Sequence, residues 1–390
     1  MKFLYASVEP NRSDELCAKV CSQILGVRQL GNEAESACIY GDELLYCTND
    51  GTEHFSLPTS SHLRDEAVCM LLCDYIKKNR YDYVYLSGFL LNRTAKKIAT
   101  YAKTENFATK VIFEAMNYPI KGVCSSLLQT YKDSGNQLAY RQLRSQIIEH
   151  VFKKRQFCKV VDSVVVFGFP VEQVWNIPAF TVDSGIAVGE IKRRTTTEKR
   201  SDPISILGVV EDPETCGYDR MIHGMKIYMK NVLRDKITFD IVGDDAGLSE
   251  LKQMVEDDNL TDYVYFLGKK SIEELGELYN SHTVAVSCLG LYHTGGNYYS
   301  SRSTKQYCAA GIPFMYAYED LNLDNDTPFA LKLTNNDSPI NIALIGEFVW
   351  RCRLIPRLEQ TERKFAEKHY DWRVIMKRIL EFTATGRREV

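Results

Sequence analysis

Residues 282–318 read HTVAVSCLGLYHTGGNYYSSRSTKQYCAAGIPFMYAY, and the order of their parts decides the fold. The apolar run 283–289 has the length and β-branched content of a buried parallel strand. A polar, glycine-bearing loop follows at 292–297, then a short basic helix at 301–310. Gly311 stands where a helix stops, and a second buried strand, 312–317, begins at once. In an open parallel α/β sheet, loops at the carboxyl ends of strands bind ligands. A loop rich in Gly, Asn, Ser and Thr, leading into a helix that carries Arg302 and Lys305, suits an anion: free N–H groups and cations point the same way. An ordinary βαβ unit with a solvated loop carries the same pattern, so chemistry alone leaves both readings open.

The 390 residues suffice for two or three domains, each with its own core. Apolar residues make up 45% and charged residues 25%, as in soluble globular proteins. A net charge of −3 supplies no global basic field for nucleic acid. The twelve cysteines form no CxxC pair. They are expected as buried thiols in a reducing cytosol, not as disulfides or a zinc site. Residues 1–8 are a first strand, not a targeting segment. No stretch approaches the ~20 apolar residues of a membrane span.

Along the first half, strands are expected at 2–7, 37–40, 43–48, 81–86, 110–114, 161–167 and 179–182. Helices are expected from Ser13–Asp14, as a cap, through 25, and at 61–79, 94–105 and 138–158. Residues 189–203 (GEIKRRTTTEKRSDP) are hydrophilic and without periodicity, which marks a linker. Beyond it, strands at 204–210, 237–242, 263–267 and 283–289 alternate with helices at 219–233, 248–255 and 272–280. This is a βαβα series and hence a doubly wound parallel sheet. Both halves therefore read as Rossmann-like α/β domains, 1–188 and 204–370. Neither carries GxGxxG after its first strand, so a dinucleotide site is not indicated.

The loops after the strands of the second half hold the candidate chemistry. EDPETCGYD (211–219) leads into Arg220, and Gly217 at a helix start would let a phosphate approach backbone N–H groups. A flexible loop with surface charge fits Asp219 and Arg220 equally well. GDDAG (243–247) is an acidic turn, and GKKS (268–271) follows the third strand. His293 stands apart from the other histidines because it adjoins Gly295 and Gly296. The helix at 138–159 carries Arg141, Arg144, Lys153, Lys154, Arg155 and Lys159 against few acids. It suits anionic lipid as well as plain solvation.

Taken together, ILGVVEDPETCGYDRMIHGM, DIVGDDAGLSELKQMVEDDNLTDYVYFLGKKSIEELGELY and STKQYCAAGIPFMYA resemble the C-terminal half of family-4 (GT-B) retaining glycosyltransferases. The first segment is similar to that family's HGYDR-type donor loop, with Cys216 where His is usual. VIFEAMNYP (111–119) resembles its E-x-P-T-Y-P strand end, DSGI (183–186) its NGI, and YDWRVIMKRIL its closing helix.

The resemblance implies two Rossmann-like domains facing across a cleft, with the helix at 371–390 returning to the first. It implies a nucleotide-sugar donor held by the second domain and a glycan or lipid-linked acceptor held by the first. Transfer would proceed with retention and without metal, the departing phosphate deprotonating the acceptor. The nucleotide-sugar is a substrate, and no cofactor is implied. Carried over, Gly217, Asp219 and Arg220 would lie near the diphosphate or sugar, and Gly268 near the base. His293, Gly295, Gly296 and Asn297 would face the donor, Arg302 and Lys305 would neutralise the diphosphate, and Gln306 would meet a ribose hydroxyl. Glu114 and Tyr118 would lie on the acceptor side. The expected role is polysaccharide or glycoconjugate assembly in the cytoplasm, with or without peripheral contact to the membrane face. Nucleic acid is not among the expected partners. Tyr298 and Gln306 stand where the family has two glutamates, which motivates an alternative: a catalytically silent GT-B module that partners another transferase.

Overall fold

The computed structural model describes residues 1–11, 14–116, 118–195, 203–230 and 236–386. The Ser13 cap, residues 196–202 of the expected linker, residues 231–233 of the expected helix and the tail from 387 lie outside them. The chain divides into two compact units, Met1–Val182 with Trp372–Val390, and Asp183–Asp371.

The first unit is built on β1 (Lys2–Asn11), β2 (Glu33–Tyr40), β3 (Glu43–Cys47), β4 (Thr52–Ser56) and β5 (Tyr83–Gly88). It continues with β6 (Lys110–Ala115), β7 (Ser163–Phe167), β8 (Gln173–Val174) and β9 (Ile177–Val182). The sheet order is β4-β3-β2-β1-β5-β6-β7-β9-β8. The strands from β2 to β9 in that order run parallel, and β3, β4 and β8 are antiparallel additions at the edges. Its helices are α1 (Asp14–Gln29), α2 (Ser61–Asn79), α3 (Arg93–Glu105), α4 (Ile120–Asp133) and α5 (Gln137–Phe157). Alternation along β1 divides the core: Phe3 and Tyr5 face Val20, Ile24 and Val27, while Leu4 and Ala6 face Leu72 and Ile98.

The second unit holds β10 (Ile204–Val209), β11 (Ile237–Val242), β12 (Val264–Gly268), β13 (Val284–Val286), β14 (Phe314–Tyr316) and β15 (Ala330–Lys332). Their order is β12-β11-β10-β13-β14-β15, and every pair is parallel. Helices α6 (Pro213–Cys216), α7 (Tyr218–Tyr228), α8 (Ser249–Asp257) and α9 (Ile272–Ser281) lie among these strands in sequence. They are followed by α10 (Arg302–Ala310), α11 (Ile342–Arg353) and α12 (Leu358–His369). The expected strand–helix series is thus present. Three short strands (β4, β8, β15), α4 and the four-residue α6 were not anticipated. Helix α4 buries only Ile120 and Cys124, so its apolar stripe is too thin to mark it. The twelve cysteines are free thiols, but Cys21 and Cys158 are exposed, which corrects the expectation of uniformly buried thiols.

Helix α13 (Trp372–Thr385) belongs to the first unit, where Trp372, Ile375, Met376, Ile379 and Leu380 join the core of Phe3, Tyr5 and Ile24. Its seat is shaped by Gly26 of α1. A Cβ there would lie 2.9 Å from the backbone of Trp372 and Arg373, so any side chain pushes the two helices apart. Gly26→Leu is expected to cost about 2–3 kcal/mol by overpacking. A lowered urea midpoint of the first unit measures this, and an unchanged midpoint would contradict the contact.

Candidate functional site

Strands β10, β13 and β14 are neighbours and parallel, so the loops at their carboxyl ends converge on the start of α10. Ser301 caps that helix, its Oγ accepting from the Thr304 N–H at 3.3 Å. Ser287, just past β13, places its Oγ 2.8 Å from Ser301 Oγ and 3.0 Å from Ser303 Oγ, three buried hydroxyls in one network. Glu211, in the loop after β10, reaches across to the same place. Its carboxylate accepts from Ser301 Oγ at 2.8 Å, Arg302 N–H at 3.2 Å, Tyr299 Oη at 3.4 Å and the Ser303 N–H. An anion on the open N–H groups of a first helical turn is favourable. Glu211 does not stand out in the sequence, because no spacing rule marks one acid among the four of 211–219. The paired serines at 301 and 303 were the available signal.

Of the three cations expected on the donor side, Arg220, Arg302 and Lys305, the first and last point elsewhere. Arg220 is 1% exposed and donates to the carbonyls of Leu289 (2.6 Å), Ser338 (2.9 Å) and Thr334 (2.9 Å) and to Asn336 Oδ1 (3.4 Å). It staples the β13 loop to residues 334–338. Lys305 is fully buried; its ammonium donates to Ser300 Oγ at 2.9 Å and Ser301 O at 2.8 Å and lies 4.0 Å from Asp183. The expected place of Arg220 near the diphosphate or sugar, and of Lys305 at the diphosphate, is therefore not matched by where their charges lie. Long side chains on inward helix faces found carbonyls and a carboxylate inside the unit.

Gly217 serves packing as well. It has φ +65°, and a Cβ there would lie 2.4 Å from the Gly290 nitrogen, so the backbones after β10 and β13 touch only because both residues lack side chains. Leu289 and Gly290 then donate to the Cys216 and Thr215 carbonyls at 2.9 and 3.0 Å. Asp219 is half-buried in the first turn of α7.

The remaining donor-side residues lie at the surface. His293 is exposed with its ring against Tyr292, and Gly295 and Asn297 are exposed beside half-buried Gly296. Asn335 ties this loop down, donating to Gly296 O at 3.0 Å and Asn297 Oδ1 at 3.3 Å. A cavity of about 390 Å³ adjoins it, lined by Asn297, Asn325, Asn335, Asn336, Glu319 and Lys332 among others. Arg302 is exposed, and half-buried Gln306 accepts from Tyr279 Oη at 3.3 Å. Gly268 has open space around it at the end of β12. In the first unit Glu114 is fully buried, accepting from Lys19 (2.6 Å), Tyr85 (2.7 Å), Gln23 (3.3 Å) and Ser87 (3.4 Å). Tyr118 is half-buried with its ring 5.5 Å from that of Phe169. Among the described residues, no group of His, Cys, Asp and Glu side chains is arranged to hold a metal ion.

Asp183 faces Lys305 inside the second unit and accepts from Asn322 Nδ2. Burial pushes its carboxyl from the ordinary 3.8 up to about 7, opposed by Lys305 and reinforced by Asp320. The folded state thus keeps this proton longer than the unfolded state. Stability from this group is highest below about pH 4 and falls as the pH rises to about 7. Asp183→Asn should remove that slope. Urea unfolding of both proteins from pH 4 to 8 checks it: wild-type stability relative to the variant should decline through this window and then level off. A constant difference would rule it out.

No family model and no curated protein matches this sequence. Solved structures do. A glycosyltransferase from Rickettsia africae superimposes with a TM-score of 0.64 at 12% identity, over 98% of both chains. Anabaena Alr3699/HepE in complex with UDP gives 0.61 at 12% identity, over 99% of this chain and 100% of that one. The catalytic domain of starch synthase IV from Arabidopsis thaliana, bound to ADP and acarbose, gives 0.59 at 10% identity over 98% of both. The architecture of this chain is therefore the GT-B fold, two Rossmann-like α/β units, as in these transferases.

Proposed function

We propose that this protein is a glycosyltransferase of the family-4 type. It would move a hexosyl group from a nucleotide-sugar donor to a glycan or lipid-linked acceptor in cell-surface polysaccharide or glycoconjugate biosynthesis. The reaction would retain configuration, need no metal and take place on the cytoplasmic side. One observation carries the reading: three loops at the carboxyl ends of adjacent parallel strands converge on the N-terminus of α10, with Arg302 exposed in its first turn. What such a site must stabilise is the charge of a departing diphosphate, and helix N–H groups with a nearby cation do that. The amide-lined cavity beside Asn297 suits the hydroxyls of a sugar, Gln306 a ribose hydroxyl, and Gly268 the base. Tyr118 lies on the acceptor side in this reading, with Glu114 fixing the strand end that precedes it. UDP and ADP in the solved structures with the same fold support the nucleotide class.

A second reading, a silent GT-B module that partners another transferase, has its own observation. Tyr298 and Gln306 replace two acids, and Arg220 and Lys305 both turn inward. Thermal shift against UDP-, GDP-, dTDP- and CMP-sugars separates the two. A rise in melting temperature with one nucleotide class, followed by turnover with that donor, is expected. No shift with any at millimolar ligand would favour the silent module.

Contact with a membrane surface is part of the proposal. Ile148, Val151 and Phe152 are 52%, 50% and 75% exposed along one face of α5, flanked by exposed Arg144, Lys154 and Arg155. Among the described residues no helix is long and apolar enough to cross a membrane. The protein should co-sediment with vesicles containing anionic lipid and not with neutral ones, and Phe152→Glu should weaken this several-fold. Equal sedimentation of the variant would remove α5 from the reading.

A further inference from the structure

We infer that Glu211 is a built-in closure of the donor diphosphate site, a carboxylate that holds the hydrogen-bond donors a phosphate would need and that the donor has to displace. This rests on the transferase reading above. The donors are Ser301 Oγ, the Arg302 and Ser303 N–H groups and Tyr299 Oη, all directed at one carboxylate. A carboxylate and a phosphate oxygen compete for the same groups, and two anions there would repel each other, so occupancy is mutually exclusive.

The loop aims Glu211 at α10 by a separate device. The neighbouring Asp212 is committed to α6, where it accepts from the Glu214 N–H and from Thr215 Oγ1, both at 3.1 Å. That fixes the backbone on one side and leaves the Glu211 side chain to reach across from β10. The space beside the contact, bounded by Glu211, Asp212, Thr215, Tyr299 and Ser303, measures about 10 Å³. It holds no more than about one water, so nothing larger fits between the Glu211 carboxylate and the loops behind it. Glu211 is nevertheless exposed to solvent, whereas Ser301, Ser303 and Thr304 behind it are buried. Opening therefore needs only rotation of one surface side chain, with no movement of the core.

The consequence is selective. A ligand that offers only phosphate competes at a disadvantage, because the Glu211 carboxylate is tethered beside its donors. A nucleotide also gains contacts to base and ribose, which tip the exchange. Bare inorganic anions are thereby excluded and nucleotides are admitted at reduced affinity.

Isothermal titration of the full chain tests this with inorganic pyrophosphate, UDP, ADP and GDP, comparing wild type, Glu211→Gln and Glu211→Ala. The alanine variant should bind pyrophosphate and one nucleoside diphosphate about tenfold or more tighter than wild type. The glutamine variant should fall between, since its amide keeps an acceptor for Ser301 but turns an N–H toward the helix. Cooperative thermal unfolding of both variants, at somewhat lower temperature because a cap is lost, shows that they are folded. If folded variants and wild type bind a nucleoside diphosphate alike, the closure is overturned while the transferase reading survives. If Glu211→Ala gains pyrophosphate but no nucleotide, the closure stands and the transferase reading falls. Absence of binding by all three proteins overturns the closure as well.

Discussion

The carboxylate of Glu211 on the first turn of α10 is the contact that ties together the loops of the candidate site in the second unit. A parallel sheet brings the ends of β10 and β13 side by side, but adjacency alone leaves the loops independent. Glu211 joins them by bonding to Ser301 and Ser303, which in turn meet Ser287 at the end of β13. Three segments distant in sequence thereby share one buried hydroxyl network and one helix dipole. The electrostatics favour an anion at that point, and the chain supplies one.

Behind this contact the unit is held by charges that have been withdrawn from solvent. Arg220 bonds three carbonyls and so fixes residues 334–338, of which 334–336 line the cavity beside Asn297. Lys305 lies against Asp183 and Tyr370, close to both ends of the second unit. Such groups cost desolvation and repay it only through hydrogen bonds and paired charge, four bonds for Arg220 and two with a facing carboxylate for Lys305. Their loss should therefore read first as instability, and activity of Arg220 or Lys305 variants is interpretable only beside an unfolding curve.

Much of the architecture was legible because its signal is local. The apolar run at 283–289, the stop at Gly311 and the alternation of strands with helices from 204 onward each follow from hydrophobic period and turn chemistry. Helix α2 was bounded at Ser61 and Asn79 by its stripe alone. The missed elements are those with little apolar pattern to show: α4, with two buried residues, and the short edge strands β4, β8 and β15. The candidate site was legible as a set of neighbouring loops and not as a set of roles. Gly217, Arg302 and the 293–297 loop do gather at the carboxyl ends of the strands, yet Gly217 is there for backbone contact with Gly290.

By itself the sequence determined the fold class, the polar loop that follows β13, and the helix that begins at Ser301, since these depend on residues within one or two turns of each other. Tertiary structure alone decided which charges face outward. Arg220 and Arg302 are equal in a sequence; one is buried on the carbonyls of Leu289, Thr334 and Ser338, and the other is exposed. Glu211 meets α10 across about ninety residues of chain, a contact that only the register of β10 beside β13 creates. The direction of a charged side chain is set by partners brought from elsewhere, and those partners exist only once the sheet has formed.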